Sequence, residues 1–395
     1  MRIAGIVCEC NPFHGGHAHL IESARADGAD AIVCVMSGEF VQRGEAAIVN
    51  ERIRAEALVR GGADLVLELP FPYSAASAEH FAAAGVRMLD RLGATELWFG
   101  SECGDLSLLS RLASACDDES FLSDYRATLT DACGTAEAYF DCLSGFVGED
   151  ISCASNDILA ISYLRAIGAI GSGMRPVTVR RVGSAYRETE PDQSCYPSAT
   201  ALRRLWRTEG TEAVLPYLPE ATHAAYTDAK IADWKHAERL AIGCLRLTPP
   251  EQLERCAALS GGLGRRLSGA ALSARTWEEM LSLAATKKYT TARLQRGILF
   301  ALTGITDADL LTVPAYARLL GANAVGRAHL ARLRRAGSFP VVTRRADLPD
   351  TPEAQRQARW SETAHALYTL STGESDVADD YWRQGAYIPT EQKEK

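Results

Sequence analysis

The sequence has no CxxC pair, no long hydrophobic run, no internal repeat and no low-complexity segment, and each absence removes a class of protein. Aromatics make up only 7% of the 395 residues, while 47% are apolar and 23% charged. Those proportions are ordinary for a globular chain, so disorder, collagen and coiled coil are excluded. The longest clean apolar run, Ala31–Met36, is far too short to cross a bilayer, and no membrane partner is expected. The opening MRIAGIVCECNPFH has one Arg and too short an apolar stretch for a signal-peptide core. It reads instead as a first buried strand, and a cytoplasmic location is expected. Eleven cysteines are sparse in a chain of this length and odd in number. Without a CxxC pair, the His14–His19 spacing has nothing to complete a zinc site, so no metal ligand set is expected. Cys8 and Cys10, two apart at the end of that strand, share a face and read as small buried thiols of a reducing compartment.

The net charge is −8, which argues against a uniformly basic surface. The average hides an asymmetry. Between Lys287 and Arg345 there are eleven basic residues against two acidic ones, a window of +9, so the rest of the chain carries −17. Such a split points to a polyanionic partner.

At roughly 150 residues per domain the length suggests two or three domains. Through residue 210, β-branched runs alternate with amphipathic helices. Strands are expected at Arg2–Cys8, Ala31–Met36, Asp64–Leu69, Glu96–Phe99 and Pro176–Val182. Helices are expected near His17–Ala26, Asn50–Gly61, Ala76–Leu92, Leu106–Ala115 and Asn156–Ala166. That alternation predicts an α/β fold with a parallel sheet and a ligand beyond the carboxyl ends of its strands. From 211 to 395 helical periodicity takes over, through Thr227–Leu245, Pro250–Leu259, Trp277–Leu283, Thr291–Leu302 and Gly326–Ala336. Only Pro340–Thr343 reads as a strand there, and the acidic last fifty residues, ending in TEQKEK, read as a frayed tail. The expected division is therefore a catalytic domain over 1–210 and a mainly helical domain over 211–395.

The chemistry concentrates where the first strand ends, in Glu9-Cys10-Asn11-Pro12-Phe13-His14-Gly15-Gly16-His17. A helix starts at once, and its unpaired N–H groups and partial positive charge suit a phosphate. Gly15 and Gly16 let a nucleotide approach the backbone closely. His14 and His17, three apart, can reach the same triphosphate and donate to charge building on the α-phosphate. The loop is neither a Walker A nor a Rossmann glycine pattern.

This His-x-Gly-His loop resembles that of the nucleotidyltransferase superfamily, whose members attack an α-phosphate. Tyr196-Pro197-Ser198-Ala199-Thr200-Ala201-Leu202-Arg203 is similar to the superfamily's second element, with Ser198 closing over the phosphates or capping a helix. More narrowly, the chain resembles the bacterial tRNA(Met) cytidine acetate ligases. The likeness rests on Glu9–His17, Met36–Glu45 (MSGEFVQRGE), Phe99–Glu102, Ser155–Leu159, Pro176–Arg181, Tyr289–Arg296 and Leu319–Arg327.

The resemblance implies a Rossmann-like nucleotidyltransferase sheet followed by a helical carboxyl-terminal domain. It also implies a two-step reaction on ATP, acetate and elongator tRNA(Met), with magnesium accompanying ATP and no tightly bound cofactor. Acetate attacks the α-phosphate, and the acetyl group passes to N4 of the wobble cytidine, forming N4-acetylcytidine. Catalysis would fall to His14 and His17. ATP would contact Val7, Cys8, Glu9, Cys10, Asn11, Pro12, Phe13, His14, Gly15, Gly16, His17, Ala18, His19 and Leu20, then Gly100, Asn156 and Arg181. Arg180 and Arg181 alternate faces, so only Arg181 is expected at the phosphates. Asn156 opens a helix and suits a cap as well as a ligand. The tRNA surface would be the basic window, through Lys287, Lys288, Arg332, Arg334 and Arg335, with Tyr289 available to stack on a base. No DNA partner is expected.

Cys10, Gly15, Pro197 and Arg187 replace the family's usual Tyr, Asn, Ser and His. These changes bear on the acyl preference more than on the reaction class. Two rival readings stay open at this point. One is a small-metabolite adenylyltransferase, which shares the loop but needs no long basic helical half. The other is a non-catalytic nucleotide-sensing RNA-binding protein, against which the intact histidines speak.

Overall fold

The computed structural model describes residues 1–128, 136–148, 154–181, 197–286, 289–337, 339–373, 381–383 and 385–389. Five strands lie where the alternation places them: β1 (Ile3–Cys8), β2 (Ala31–Ser37), β3 (Leu65–Leu69), β4 (Glu96–Ser101) and β5 (Arg175–Arg180). β1, β2 and β3 are buried along their whole length, which is why they read as near-continuous apolar runs, interrupted only by Ser37 and Glu68. The helices between them are α1 (Gly15–Ala26), α2 (Glu51–Arg60), α3 (Ala78–Arg91), α4 (Leu106–Ala115), α5 (Glu119–Thr128), α6 (Ala136–Val147) and α7 (Ser155–Ile170), and α8 (Ala199–Glu209) follows β5. Val182, Arg187 and Tyr196 lie outside the described residues.

The sheet has seven strands in the order β5-β4-β1-β2-β3-β6-β7, because β6 (Ala317–Ala322) and β7 (Val341–Val342) come from the second half. β5, β4, β1, β2 and β3 are mutually parallel, and β6 runs antiparallel to β3 with Leu65 opposite Ala322. β7 falls within the expected Pro340–Thr343, but β6 corrects the expectation of a single strand in that half. Its sequence, ARLLGA, is made of helix-favouring residues around a charge, and nothing local marks it as a strand. The tertiary structure supplies what the local sequence lacks. Arg318 is buried, its Nε donates to Glu68 Oε2 at 2.9 Å, and its other nitrogens reach Glu51 and the Tyr381 carbonyl.

A second correction concerns the last fifty residues, which hold a twenty-residue helix, Pro352–Ser371. Thr351 caps it by accepting from the Ala354 N–H, and Pro352 occupies its first position. Its buried face uses Ala354, Ala358, Ser361, His365 and Tyr368, so small and polar residues disguise a packed stripe. The TEQKEK end lies outside the described residues. Thr227–Leu245 also shortens, to a helix over Glu238–Leu247 preceded by short turns, and Pro250–Leu259 shrinks to the single turn Pro250–Leu253.

Two apolar layers sandwich the sheet. Phe81, Val86 and Leu89 of α3, Leu109 and Leu112 of α4, and Ala160 and Tyr163 of α7 cover one face. Ile21 and Ala24 of α1, Ala55 and Leu58 of α2, and Leu202 and Trp206 of α8 cover the other. A separate helical core, including Leu245, Leu267, Met280 and Ile298, is confined to the second half. Phe40 and Phe71 join Phe300 and Tyr368 in a further cluster that ties the halves together.

Candidate functional site

The chain proceeds from β1 to β2 and β3 in one direction, then returns to β4 and β5 on the other side, so the order reverses between β1 and β4. A crevice opens beyond the carboxyl ends of strands that part in this way. Here it is a cleft of about 330 Å³. Of the residues expected at a nucleotide, Val7, Cys8, Glu9, Cys10, Asn11, His14, Gly16, His17, His19, Leu20, Gly100, Asn156, Arg181 and Ser198 line it. Pro12, Phe13, Gly15 and Ala18 do not. Phe13 turns away into the core, against Gly61, and its N–H donates to the Tyr226 hydroxyl at 3.0 Å. It props the loop from below.

The loop is held through its backbone carbonyls and the Asn11 side chain. Cys10 adopts φ +47, a left-handed conformation costly for a residue with a Cβ. Arg54, fully buried, donates to the Glu9 carbonyl at 2.7 Å, and Arg203 donates to the Asn11 carbonyl at 2.9 Å. The Asn11 side chain accepts from the Ile48 N–H at 2.7 Å. These contacts over-determine the turn, so its strain persists.

His14 is the N-cap of α1. Its Nδ1 accepts the Gly16 N–H at 3.0 Å, while its own backbone N–H donates to His17 Nδ1 at 3.2 Å. The rings lie 4.1 Å apart. A Cβ on Gly16 would sit 2.9 Å from the His14 ring, so this glycine makes room for the cap as well as for a ligand. With both Nδ1 atoms accepting, each neutral ring carries its proton on Nε2. Burial pushes both imidazoles down, His17 to about 3, and the nearby Arg181 guanidinium adds to the effect on each. At neutral pH they are uncharged Nε2–H donors.

Two further helix starts face the same cleft, through Ser155 and Asn156 of α7 and through Ser198 and Ala199 at α8. Ser198 caps α8 by accepting the Ala201 N–H at 3.1 Å. Asn156 is not a cap, since Ala154 holds that position. Its side-chain amide donates to Glu102 Oε1 at 2.6 Å, and Glu102 Oε2 accepts the Asn156 and Asp157 N–H groups. Gly100 lies under the Arg181 side chain, where a Cβ would come 3.3 Å from Arg181 Cγ. Arg180 lines the cleft too, packed on Gly104.

Sequence reasoning assigned no role to several lining residues. Gln42 and Arg43 come from the SGEFVQRGE string, whose place in the cleft was not read from its residues. The Gln42 N–H donates to Glu9 Oε1 at 2.9 Å, and burial raises the Glu9 carboxyl above its ordinary range. Arg43 donates to Ser155 Oγ at 3.3 Å, and Arg296 of the second half donates to the Gln42 carbonyl at 3.3 Å. Gly44 lies directly on the Arg296 backbone. Phe81, Phe99, Leu159 and Tyr163 also line the cleft, although their helical or strand spacing reads as plain core.

The basic window divides. Arg318 is buried and neutralised by Glu51 and Glu68, Arg344 pairs with Asp347, and Arg345 with Glu362. Arg332, Arg334 and Arg335 are exposed on the helix Ala324–Ala336. Tyr289 is half-buried, its hydroxyl donating to the Gly261 carbonyl and its ring covered by Arg293 at 4.5 Å. Lys287 and Lys288 lie outside the described residues. Among the described residues, no helix is long and apolar enough to cross a membrane.

Residues 1–380 match a family model described as HIGH Nucleotidyl Transferase. A tRNA(Met) cytidine acetate ligase of Acetivibrio thermocellus is 33% identical, covering 94% of this chain and 95% of its own. One of Syntrophotalea carbinolica is 35% identical, covering 87% and 85%. The crystal structure of Thermotoga maritima TmcAL superposes with a TM-score of 0.90 at 28% identity, covering 98% of this chain and 99% of that one. A second form of that protein, bound with alpha-thio ATP, superposes with a TM-score of 0.88 at 27% identity, covering 99% and 100%. With this match along nearly its whole length, the chain belongs to the HIGH nucleotidyltransferases and, among them, to the tRNA(Met) cytidine acetate ligases.

Proposed function

We propose that the protein activates acetate with ATP and transfers the acetyl group to N4 of the wobble cytidine of elongator tRNA(Met). The observation that carries this reading is the paired Nε2–H donors of His14 and His17 at the start of α1, inside a cleft that also holds Arg181. ATP, entering with its magnesium, lies along β1 and β4 with its phosphates at α1. Acetate is fully ionised at neutral pH and needs no base. One of its oxygens attacks the α-phosphorus, the bond to the β-phosphate oxygen breaks, and the electron pair leaves on pyrophosphate. The two imidazoles and Arg181 stabilise charge on the α-phosphate oxygens as it builds. Ser198 and the α8 start close over the phosphates.

In the second step the cytidine amine attacks the acetyl carbonyl, and AMP leaves with the electron pair of the C–O bond. The amine proton needs an acceptor. Glu9, whose carboxyl is raised by burial and faces the cleft, is a stronger base than an ordinary carboxylate. The relatives named above carry this same activity in their names, and SGEFVQRGE links the cleft to the second half through Arg296. In this reading residues 1–210 do the chemistry and 211–395 hold tRNA, on Arg332, Arg334, Arg335, Lys287 and Lys288, in the cytoplasm. Incubating the protein with ATP, labelled acetate and total tRNA tests it. Label at the wobble cytidine supports the ligase. Label confined to a small acyl-adenylate favours metabolite adenylylation, and RNA binding without any turnover favours a silent sensor.

A further inference from the structure

The cleft has two unlike halves on either side of β1. On the α1 side it is lined by helix N–H groups, Gly100, Arg181 and the two histidines, a surface for a polyanion. On the α3 and α7 side it ends among Val7, Phe81, Phe99, Leu159 and Tyr163, all but Leu159 at most 9% exposed. Gly85 of α3 sits directly against Val7 and closes the floor, since a Cβ there would come 2.7 Å from Val7 Cγ1. Asn156, Leu159 and Tyr163 are spaced to follow one face of α7 from mouth to floor. Tyr163 is 4% exposed and stacks at a tilt on Phe99, with ring centroids 5.7 Å apart. Among the described residues its hydroxyl has no hydrogen-bond partner, and it opens into the cleft rather than being sealed in the core. A donor without a protein partner, open to the cleft between apolar walls, suits a small ligand with one polar end.

We propose that this recess is the acyl subsite of the reaction set out above, in which the Tyr163 hydroxyl donates to the carboxylate of a short fatty acid whose methyl group packs on Phe81 and Phe99. The inference rests on the ligase reading and adds how the acid is chosen. Burial raises the Tyr163 phenol, so it stays a donor throughout the working pH range. It transfers no proton. It holds the carboxylate oxygen that does not attack, leaving the other free to approach the α-phosphorus. The aromatic walls favour a short chain, because a longer acid would need Phe81 or Phe99 to move in a packed core.

The experiment is ATP–pyrophosphate exchange driven by formate, acetate, propionate or butyrate, in wild type, Tyr163→Phe and Phe81→Leu, with ATP binding measured separately by calorimetry. Tyr163→Phe should raise the KM for acetate about 10- to 100-fold, the size of one lost hydrogen bond to a charged group, and leave ATP affinity within about twofold. Phe81→Leu should raise the propionate-to-acetate ratio at least several-fold, and its unchanged ATP affinity would show that it folds. Unchanged acetate KM in Tyr163→Phe, or a parallel loss of ATP affinity, would overturn the subsite; the second result would assign the recess to the nucleotide. Absence of exchange with every carboxylate in the wild type would instead overturn the ligase reading itself.

Discussion

His14 fixes the proton of His17: its backbone N–H donates to His17 Nδ1 at 3.2 Å, while His14 Nδ1 itself accepts the Gly16 N–H. The helix cap and the phosphate site are thus one piece of chemistry. Capping consumes both Nδ1 atoms and leaves both Nε2–H groups for a ligand.

His17→Ala should lower the rate of acetate-dependent ATP–pyrophosphate exchange by about a hundredfold or more, as removal of a transition-state donor does. The fold should survive, because α1 keeps the His14 cap. Circular dichroism and exchange kinetics on the same sample check both points, and a wild-type rate would remove His17 from the chemistry.

The depressed imidazoles predict a stability that depends on pH. In the unfolded chain these histidines take up protons below about pH 6.5, whereas in the fold they do not, His17 holding out to about pH 3. The unfolded state therefore binds more protons in that window, and stability falls as pH drops through it. Buried Glu9 and Glu68, whose carboxyls are raised, act with the opposite sign, so the test is a comparison: between pH 6.5 and 5 the urea unfolding midpoint of wild type should fall relative to that of His17→Gln. Parallel profiles in the two proteins would contradict the burial argument.

Glu9→Gln should separate the two steps. Adenylate formation needs no base, so exchange should persist within a few-fold, while acetyl transfer to tRNA should fall at least tenfold. Equal loss of both would make Glu9 a loop support, held in place by the Gln42 N–H.

The five amino-terminal strands and the His14–His17 loop were legible because β1 to β3 are buried on both faces and because Asn11-Pro12 and Gly15-Gly16 punctuate the turn. β6 was not. Arg318 interrupts its apolar run, and only the distant Glu51 and Glu68 make that charge acceptable inside. Tyr163 and Phe81 were invisible as site residues for the opposite reason: their spacing is that of ordinary core, and only the cleft distinguishes them. The helix Pro352–Ser371 was hidden because its buried stripe is built of alanine and serine and because acidic segments flank it in the sequence.

Reversing Arg332, Arg334 and Arg335 to Glu should weaken tRNA binding and flatten its salt dependence, because fewer counterions are released. Exchange should persist, since none of the three lines the cleft. Unchanged affinity and slope would move the tRNA surface elsewhere.

Cys8→Ser with Cys10→Ser should leave acetyl transfer within a few-fold of wild type wherever the protein folds. Burial and the neighbouring Cys8 thiol push the Cys10 thiol up, which keeps it protonated and a poor nucleophile. An acetyl adenylate is already an activated anhydride, so a thioester adds nothing. Cys8 is pushed the other way by its hydrogen bonds with Cys10 and Cys34, so acetyl label trapped on either Cys8 or Cys10 would contradict this.

The central claim, attack of a carboxylate oxygen on the α-phosphorus, is tested most directly with acetate labelled with oxygen-18 in both positions. One labelled oxygen bridges the adenylate and leaves with AMP when the amine displaces it. AMP should therefore gain one heavy oxygen per acetylcytidine formed, pyrophosphate none, and the acetyl carbonyl should keep the other. Release of ADP with label in inorganic phosphate, or unlabelled AMP beside acetylated tRNA, would contradict it.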